Sequence, residues 1–277
     1  MYAGTTFTRI SGNLIGAHQK IDRVARKQLE HLMPGIVFPD ITSILHFEGD
    51  QGPDSIKRKS PAKNEPWHFI KPFDDTDTRL IDYISHHYQE LVKALKDSNE
   101  VRAAFEAAWL AHAIVDGLTP AHHYPYEQKL VELRNGEPLN TRVTMKNRLV
   151  MSGDTSKHKF KNNWKMWGPK GLFTTHATFE IGFASLIAPL SFKDLAPATD
   201  FVSSLSKKSL STWYRALAQQ VARWNLYDNF YKTGWTLKLS SQAKKQLAPT
   251  LINAVTAVWY SAYQEATETK RRFPKLF

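Results

Sequence analysis

His112, Asp116 and His122 stand in the pattern HxxxDxxxxxH, inside the apolar run His112-Ala-Ile-Val-Asp116-Gly-Leu-Thr-Pro120-Ala-His122. The first two are i, i+4, so on a helix both side chains leave one face. Pro120 is expected to end or bend that helix and to bring His122 in from another direction. Imidazole and carboxylate form a mixed nitrogen and oxygen set that zinc accepts. The chemistry this pattern predicts is metal-dependent hydrolysis.

Other positions carry the same ligand types. His176 and Glu180 are again i, i+4 on a predicted helix. His68 lies in Pro66-Trp67-His68-Phe69-Ile70, and Asp54 precedes it by fourteen residues. His18 falls near the start of the first predicted helix. Singly, each has a plainer reading. A lone histidine on an apolar helix is usually a hydrogen-bonded core residue, Glu180 could be a surface charge, and Asp54 could serve a turn. His86 and His87 are read as structural in that way. Together the spaced pairs point to one metal-binding constellation.

These residues need rigid elements to hold them, and the sequence supplies mainly helices. Apolar positions recur at a period near 3.6 over residues 13–32, 74–95, 99–118 and 174–186. Asp74 to Asp77 offer N-caps for the second helix, Ser98 or Asn99 for the third, and Thr174 or Thr175 for the fourth. Two more long helices are expected over 209–231 and 240–268. No segment shows the sustained alternation of a half-buried sheet. The class is therefore all-α, a single multi-helix domain over residues 1–277, with long loops at 34–73 and 124–172.

Composition narrows the setting. The 277 residues contain no cysteine, so disulfides and thiolate metal sites are excluded and any zinc must be held by His, Asp and Glu. No apolar run is long enough for a membrane span. The N-terminal segment lacks the apolar core of a secretory signal, which predicts a cytoplasmic protein unless a signal has been removed. A formal charge of +11 favours polyanionic partners. The basic insert at 124–172 holds ten Lys/Arg against four acids, with Phe160, Trp164, Met166 and Trp167 interleaved. That mixture suits single-stranded nucleic acid or an anionic membrane surface. The plainer alternative is an ordered excursion whose aromatics pack on the body.

The order of these motifs resembles the trinuclear-zinc superfamily that joins bacterial zinc-dependent phospholipases C with fungal single-strand-specific nucleases. Asp116-Gly-Leu-Thr-Pro-Ala-His122 resembles its G-D-x-x-Q-P-x-H signature, with Thr119 where Gln is usual. The Pro-Trp-His68-Phe-Ile segment resembles the nuclease branch, and the His176/Glu180 pair the phospholipase branch. The resemblance implies zinc, two to three ions. Asp54, His68, His112 and Asp116 would hold the first; His122, His176 and Glu180 the second; His18 and Asp116 the third. It implies phosphodiester hydrolysis by metal-bound hydroxide, with two zincs roughly 3.5–4 Å apart clamping the phosphate. Asp54 would also act as general base or orienter. The family's chain-start Trp, which completes the third site, has no counterpart before Trp67, so that site is expected in altered, weaker form. Asp22, i+4 from His18, is expected to pair with Arg26 rather than to complete it. Three readings follow: a phospholipase C-like enzyme, which is preferred; a single-strand nuclease or nucleotidase; and a non-catalytic zinc-stabilised binding protein. The expected partner is a phosphate ester, phospholipid or nucleic acid, with a peripheral membrane contact also in view.

Overall fold

In a computed structural model of the chain, residues 16–48, 52–54, 67–142, 144–196 and 198–272 are described, with backbone alone at 145 and 269–272. The described residues form helices and connecting turns, with no strand among them. No helix among them is long and apolar enough to cross a membrane.

The centre of the molecule is α4 (Glu100–Gly117), preceded by α1 (Ala17–Leu32), α2 (Ile41–Glu48) and α3 (Arg79–Lys96). Asn99 starts α4, its side-chain oxygen accepting from Arg102 N at 3.0 Å. Such a cap satisfies one of the amides that a helix start leaves open. Alanines then dominate α4, and every residue from Glu106 to Gly117 is buried. A helix apolar all round is one that neighbours cover on every side. Here α3 lies antiparallel on it, and α2 and the C-terminal helix pack on other faces. Trp259 of that last helix is fully buried and donates from Nε1 to Ala107 O at 3.1 Å. Truncating so large a core side chain to Ala costs roughly 3–5 kcal/mol.

The end of α4 is set by two close approaches. Tyr214 donates from its hydroxyl to Ile114 O at 3.2 Å. A Cβ at Gly117 would lie 2.0 Å from that hydroxyl and 2.4 Å from Leu80, so only glycine fits. Pro120 then opens a short 3-10 turn, Pro120–His123, as the missing amide at a first helical position allows. Thr119 ties this turn to α4, its hydroxyl donating to Val115 O at 2.7 Å.

The long connection expected at 124–172 is instead largely helical. It contains α5 (Tyr126–Leu133), a 3-10 turn at Leu139–Thr141, α6 (Met145–Leu149) and α7 (Ser156–Trp167). Thr144 and Thr155 cap the last two by accepting from Asn147 N and His158 N. These helices are short and polar, so their apolar period is too brief to read. Leu130, Met151 and Met166 close a small core of their own, apart from the main one. The expected loop at 34–73 likewise holds α2.

After α8 (Leu172–Ile187), the expected helix over 209–231 is broken in two. α9 (Thr199–Leu205) precedes α10 (Leu210–Ala222) and α11 (Leu226–Thr233), and Asn225 between the latter pair has φ +53°. The left-handed region ends one helix before the next begins, and Asn is among the residues that tolerate it. The final expected helix is α12 (Leu237–Gln242) running through a widened turn at Ala243–Leu247 into α13 (Ala248–Arg272).

Candidate metal centre

Asp116 is the hub of the site. It lies in the last turn of α4, 1% exposed. His112 Nε2, one turn earlier on the same helix, faces Asp116 Oδ2 at 3.1 Å. His18 Nε2 of α1 faces Oδ1 at 3.2 Å, His68 Nδ1 lies against Oδ2, and His122 Nδ1 is 3.7 Å from Oδ1. Four imidazoles from four segments thus converge on one buried carboxylate.

Around this hub the sequence-predicted residues form groups of the right chemistry. Ligand-type atoms of Asp54, His68 and His112 lie within 4.8 Å of one another, and so do those of His122, His176 and Glu180. The second group is tight: Glu180 Oε1 is 2.8 Å from His122 Nε2 and 3.1 Å from His176 Nε2. His18 joins through Asp116 and stacks on His112, the rings 4.0 Å apart and within 2° of parallel. The structure therefore brings all eight sequence-predicted residues into one neighbourhood. Asp54, at 22% exposure, is the most open of them; His176 and Glu180 follow at 13% each.

Backbone and side-chain acceptors fix the rings. His122 Nδ1–H donates to His68 O at 2.9 Å, and Ile70 N donates to His122 O at 3.2 Å. The Trp67–Ile70 segment and the Pro120 turn are thereby laced together, and His122 presents Nε2 toward Glu180. His112 Nδ1–H donates to Glu48 Oε1 at 2.9 Å, leaving its Nε2 for the Asp116 side. Such an acceptor on the far nitrogen sets the tautomer of a metal-binding imidazole.

Glu48 was not among the residues singled out in the sequence. It is fully buried at the end of α2 and also lies 3.7 Å from His18 Nδ1. One carboxylate thus stands behind two stacked imidazoles. With His18 and His112 it forms a third group of metal-ligating type. The available signal was its register: Ile44 and Glu48 are the buried positions of α2, so the acid sits where the apolar face continues at i+4. Gly52 lies close behind it, since a Cβ there would be 2.1 Å from Glu48 O.

The expected Asp22–Arg26 pair does not form. Arg26 turns away, donating from Nε to Pro39 O at 2.9 Å and lying 3.8 Å from Glu30. Asp22 is 1% exposed and neither carboxylate oxygen has a hydrogen-bond partner. Burial and the nearby Glu48 carboxylate push its carboxyl well above the usual range.

Electrostatics favour a cation at the hub. Burial alone would raise Asp116 and Glu180, yet the positive charge around them, to which the imidazoles contribute, holds both carboxyls well below their usual values. Burial would lower His112, but Glu48 and Asp116 outweigh it and hold the imidazolium up to about 10 in the metal-free protein. Buried charges of this kind need paired partners. His112 Nε2 nevertheless has no hydrogen-bond partner. Once it gives up its proton, that buried nitrogen faces carboxylates and further imidazoles, a donor set suited to a zinc ion. Two other buried histidines lack that setting. His87 pairs only with Glu106, at 2.5 Å, itself braced by Arg102. His123 donates to Gly117 O at 2.8 Å, and burial pushes it down to about 4.

A family model for zinc-dependent phospholipase C matches residues 7–235, a span that contains every residue of the site. No curated protein and no solved structure matches the chain. The chain belongs to the zinc-dependent phospholipase C family.

Proposed function

We propose, from that membership and the convergence of ligand-type residues on Asp116, that the protein hydrolyses the phosphodiester of a phospholipid. The oxygen of water would bond to phosphorus, and the bond from phosphorus to the diacylglycerol oxygen would break. Diacylglycerol would leave as the alcohol after its oxygen takes up a proton, with the phosphorylated headgroup as the second product. Asp54, His68, His112 and Asp116 would hold one zinc, and His122, His176 and Glu180 a second. His18 with Asp116 would provide a weaker third position. Zinc, when bound, supplies positive charge that neutralises a phosphodiester and acidifies water.

The chain's own residues account for the rest. The helix α4 and the laced Trp67–His122 segments hold the donors in place before substrate arrives, which lowers the entropy cost of assembling the site. Asp54, the most exposed member of the set, would accept the proton of the attacking water. The acid of the His176/Glu180 pair favours a lipid ester, in keeping with the phospholipase branch. The Trp67–Ile70 segment gives one specific reason to keep a single-strand nuclease as the second reading.

The test is hydrolysis by zinc-loaded protein of phosphatidylcholine, single-stranded DNA and bis(p-nitrophenyl) phosphate, with and without chelator. Lipid turnover abolished by chelation supports the proposal. Turnover of DNA alone would move the assignment to nuclease. Bound zinc with turnover of no ester would leave the non-catalytic reading in its place.

A further inference from the structure

The basic insert is built around its own small core, and that leaves one helix with an unusual outer face. Asn162 and Met166 are the buried residues of α7. Asn162 Nδ2 donates to Ser152 O at 2.9 Å, and Trp167 Nε1 donates to Leu149 O at 2.8 Å. The opposite side presents Lys157, Phe160, Lys161 and Trp164, spaced as one helical stripe, all exposed. Phe160 is 70% and Trp164 60% exposed, with their rings 6.3 Å apart. Leu149 and Val150, at 49% and 37%, are further exposed apolar residues of the insert. Lys157, Lys159, Lys161 and Lys165 flank the two rings along α7, which contains no acid. Large rings left in water and rimmed by one sign of charge mark a contact surface.

We propose that this outer face of α7 docks the protein on an anionic lipid bilayer. Phe160 and Trp164 would enter the headgroup boundary, while the lysine ammoniums meet lipid phosphates. Lipid fits better than single-stranded nucleic acid for two reasons. Leu149 and Val150 have no ring on which a base could stack. The cations of α7 are all lysines, which supply compact point charges without the planar fork that arginine offers to nucleic acid. The chain also links this helix directly to the site. α7 leads through residues 168–171 into α8, which carries His176 and Glu180. Lys165 at its end lines a cleft of about 310 Å³ together with Lys129, Lys170 and Tyr227. The inference takes its purpose from the lipid reading, but binding is measurable without turnover.

Sedimentation of the zinc-loaded full chain with vesicles tests it. Vesicles of phosphatidylcholine mixed with phosphatidylglycerol should bind roughly tenfold or more tightly than phosphatidylcholine alone, and high salt should weaken that binding. Phe160→Ala with Trp164→Ala should reduce partitioning roughly tenfold, as should Lys157→Ala, Lys161→Ala and Lys165→Ala combined. All five side chains are exposed, so the thermal melt should be preserved. Unchanged vesicle binding in both variants would overturn the proposal. So would loss of oligothymidylate binding in both variants with vesicle binding intact, which would assign the face to nucleic acid. Salt-sensitive vesicle binding that both variants lose, in a protein that hydrolyses no lipid, would sustain the docking and remove the lipid-hydrolase reading. Reduced vesicle binding with undiminished hydrolysis of monomeric short-chain phosphatidylcholine would sustain both.

Discussion

The two halves of the metal centre are held in different ways. The half around His18, His68 and His112 is sealed: each of these rings is at most 4% exposed, and Glu48 backs two of them from inside the core. The half formed by His122, His176 and Glu180 sits where a 3-10 turn meets α8, and two of its three members are partly open. The sealed half depends on packing and on a buried carboxylate network. The open half depends on a turn tied down by backbone hydrogen bonds. A phosphate ester can approach the second at His176 and Glu180 and the first at Asp54, its one open member, while the buried rings give the first the more rigid geometry.

Asp116 should give the largest effect, because it belongs to both sides of the comparison. Asp116→Asn removes the charge that four imidazoles face. Zinc content should fall below that of every single-histidine variant, and phosphodiesterase activity by roughly 10³-fold or more. Elemental analysis with a soluble diester assay checks both. Next come His112→Ala and His176→Ala. Each should lose one ion and roughly 10²–10³ in activity, but only His112→Ala should also lower the melting temperature, since it opens a cavity in the core. Equal melting temperatures would break the distinction between sealed and open halves.

Glu48→Gln should act more mildly. The amide still fills the space but no longer sets a negative charge behind the donating His112 ring and the neighbouring His18, so zinc affinity should fall about 10–100-fold with the fold intact. Zinc titration by competition with a chromophoric chelator measures this, and the His122 group should be unaffected. Gly117→Ala should act chiefly on stability. The added methyl must displace Tyr214 from Ile114 O, at a cost of about 1–3 kcal/mol in chemical denaturation.

The smallest effect is a pH dependence of the metal-free protein. His112, held up to about 10, exceeds the ordinary imidazole value. Its contribution to stability is therefore fully present below about 6.5 and is lost as pH rises toward 10. Zinc competes with the same proton, so affinity should strengthen as pH rises through neutrality. Denaturation of apo protein across that window, compared with His112→Gln, isolates the contribution.

What could be read in the sequence divides along a physical line. His112/Asp116 and His176/Glu180 were legible because i, i+4 spacing within one helix carries its own geometry. His68, His18 and Asp54 needed motif order, since nothing local joins them to Asp116. Glu48 was missed because its role depends on α2 packing against α4, a tertiary fact with only a faint register signal. Asp22 was assigned to Arg26 by spacing alone, and the backbone carbonyls of Phe38 and Pro39 won that arginine instead. The long central helix was plain from its alanine-rich apolar run. The helices of the insert were not, since eight residues or fewer of mixed polarity form α5 and α6. The break at Asn225 rests on a single left-handed residue, which no periodicity announces.

The small core of Leu130, Met151 and Met166 has a consequence for how the molecule comes apart. Three buried side chains separate from the main cluster cannot confer the protection that α4 enjoys. The insert is thus a candidate cooperative unit of its own, opening while the helices around Asp116 stay shut. Amide hydrogens of Ser156–Trp167 should exchange by that partial route, orders of magnitude sooner than those of α4. A chain carrying its candidate metal ligands in the slow-exchanging unit and its lysine-rich helix in the fast one could refold its outer surface repeatedly without once opening the metal centre.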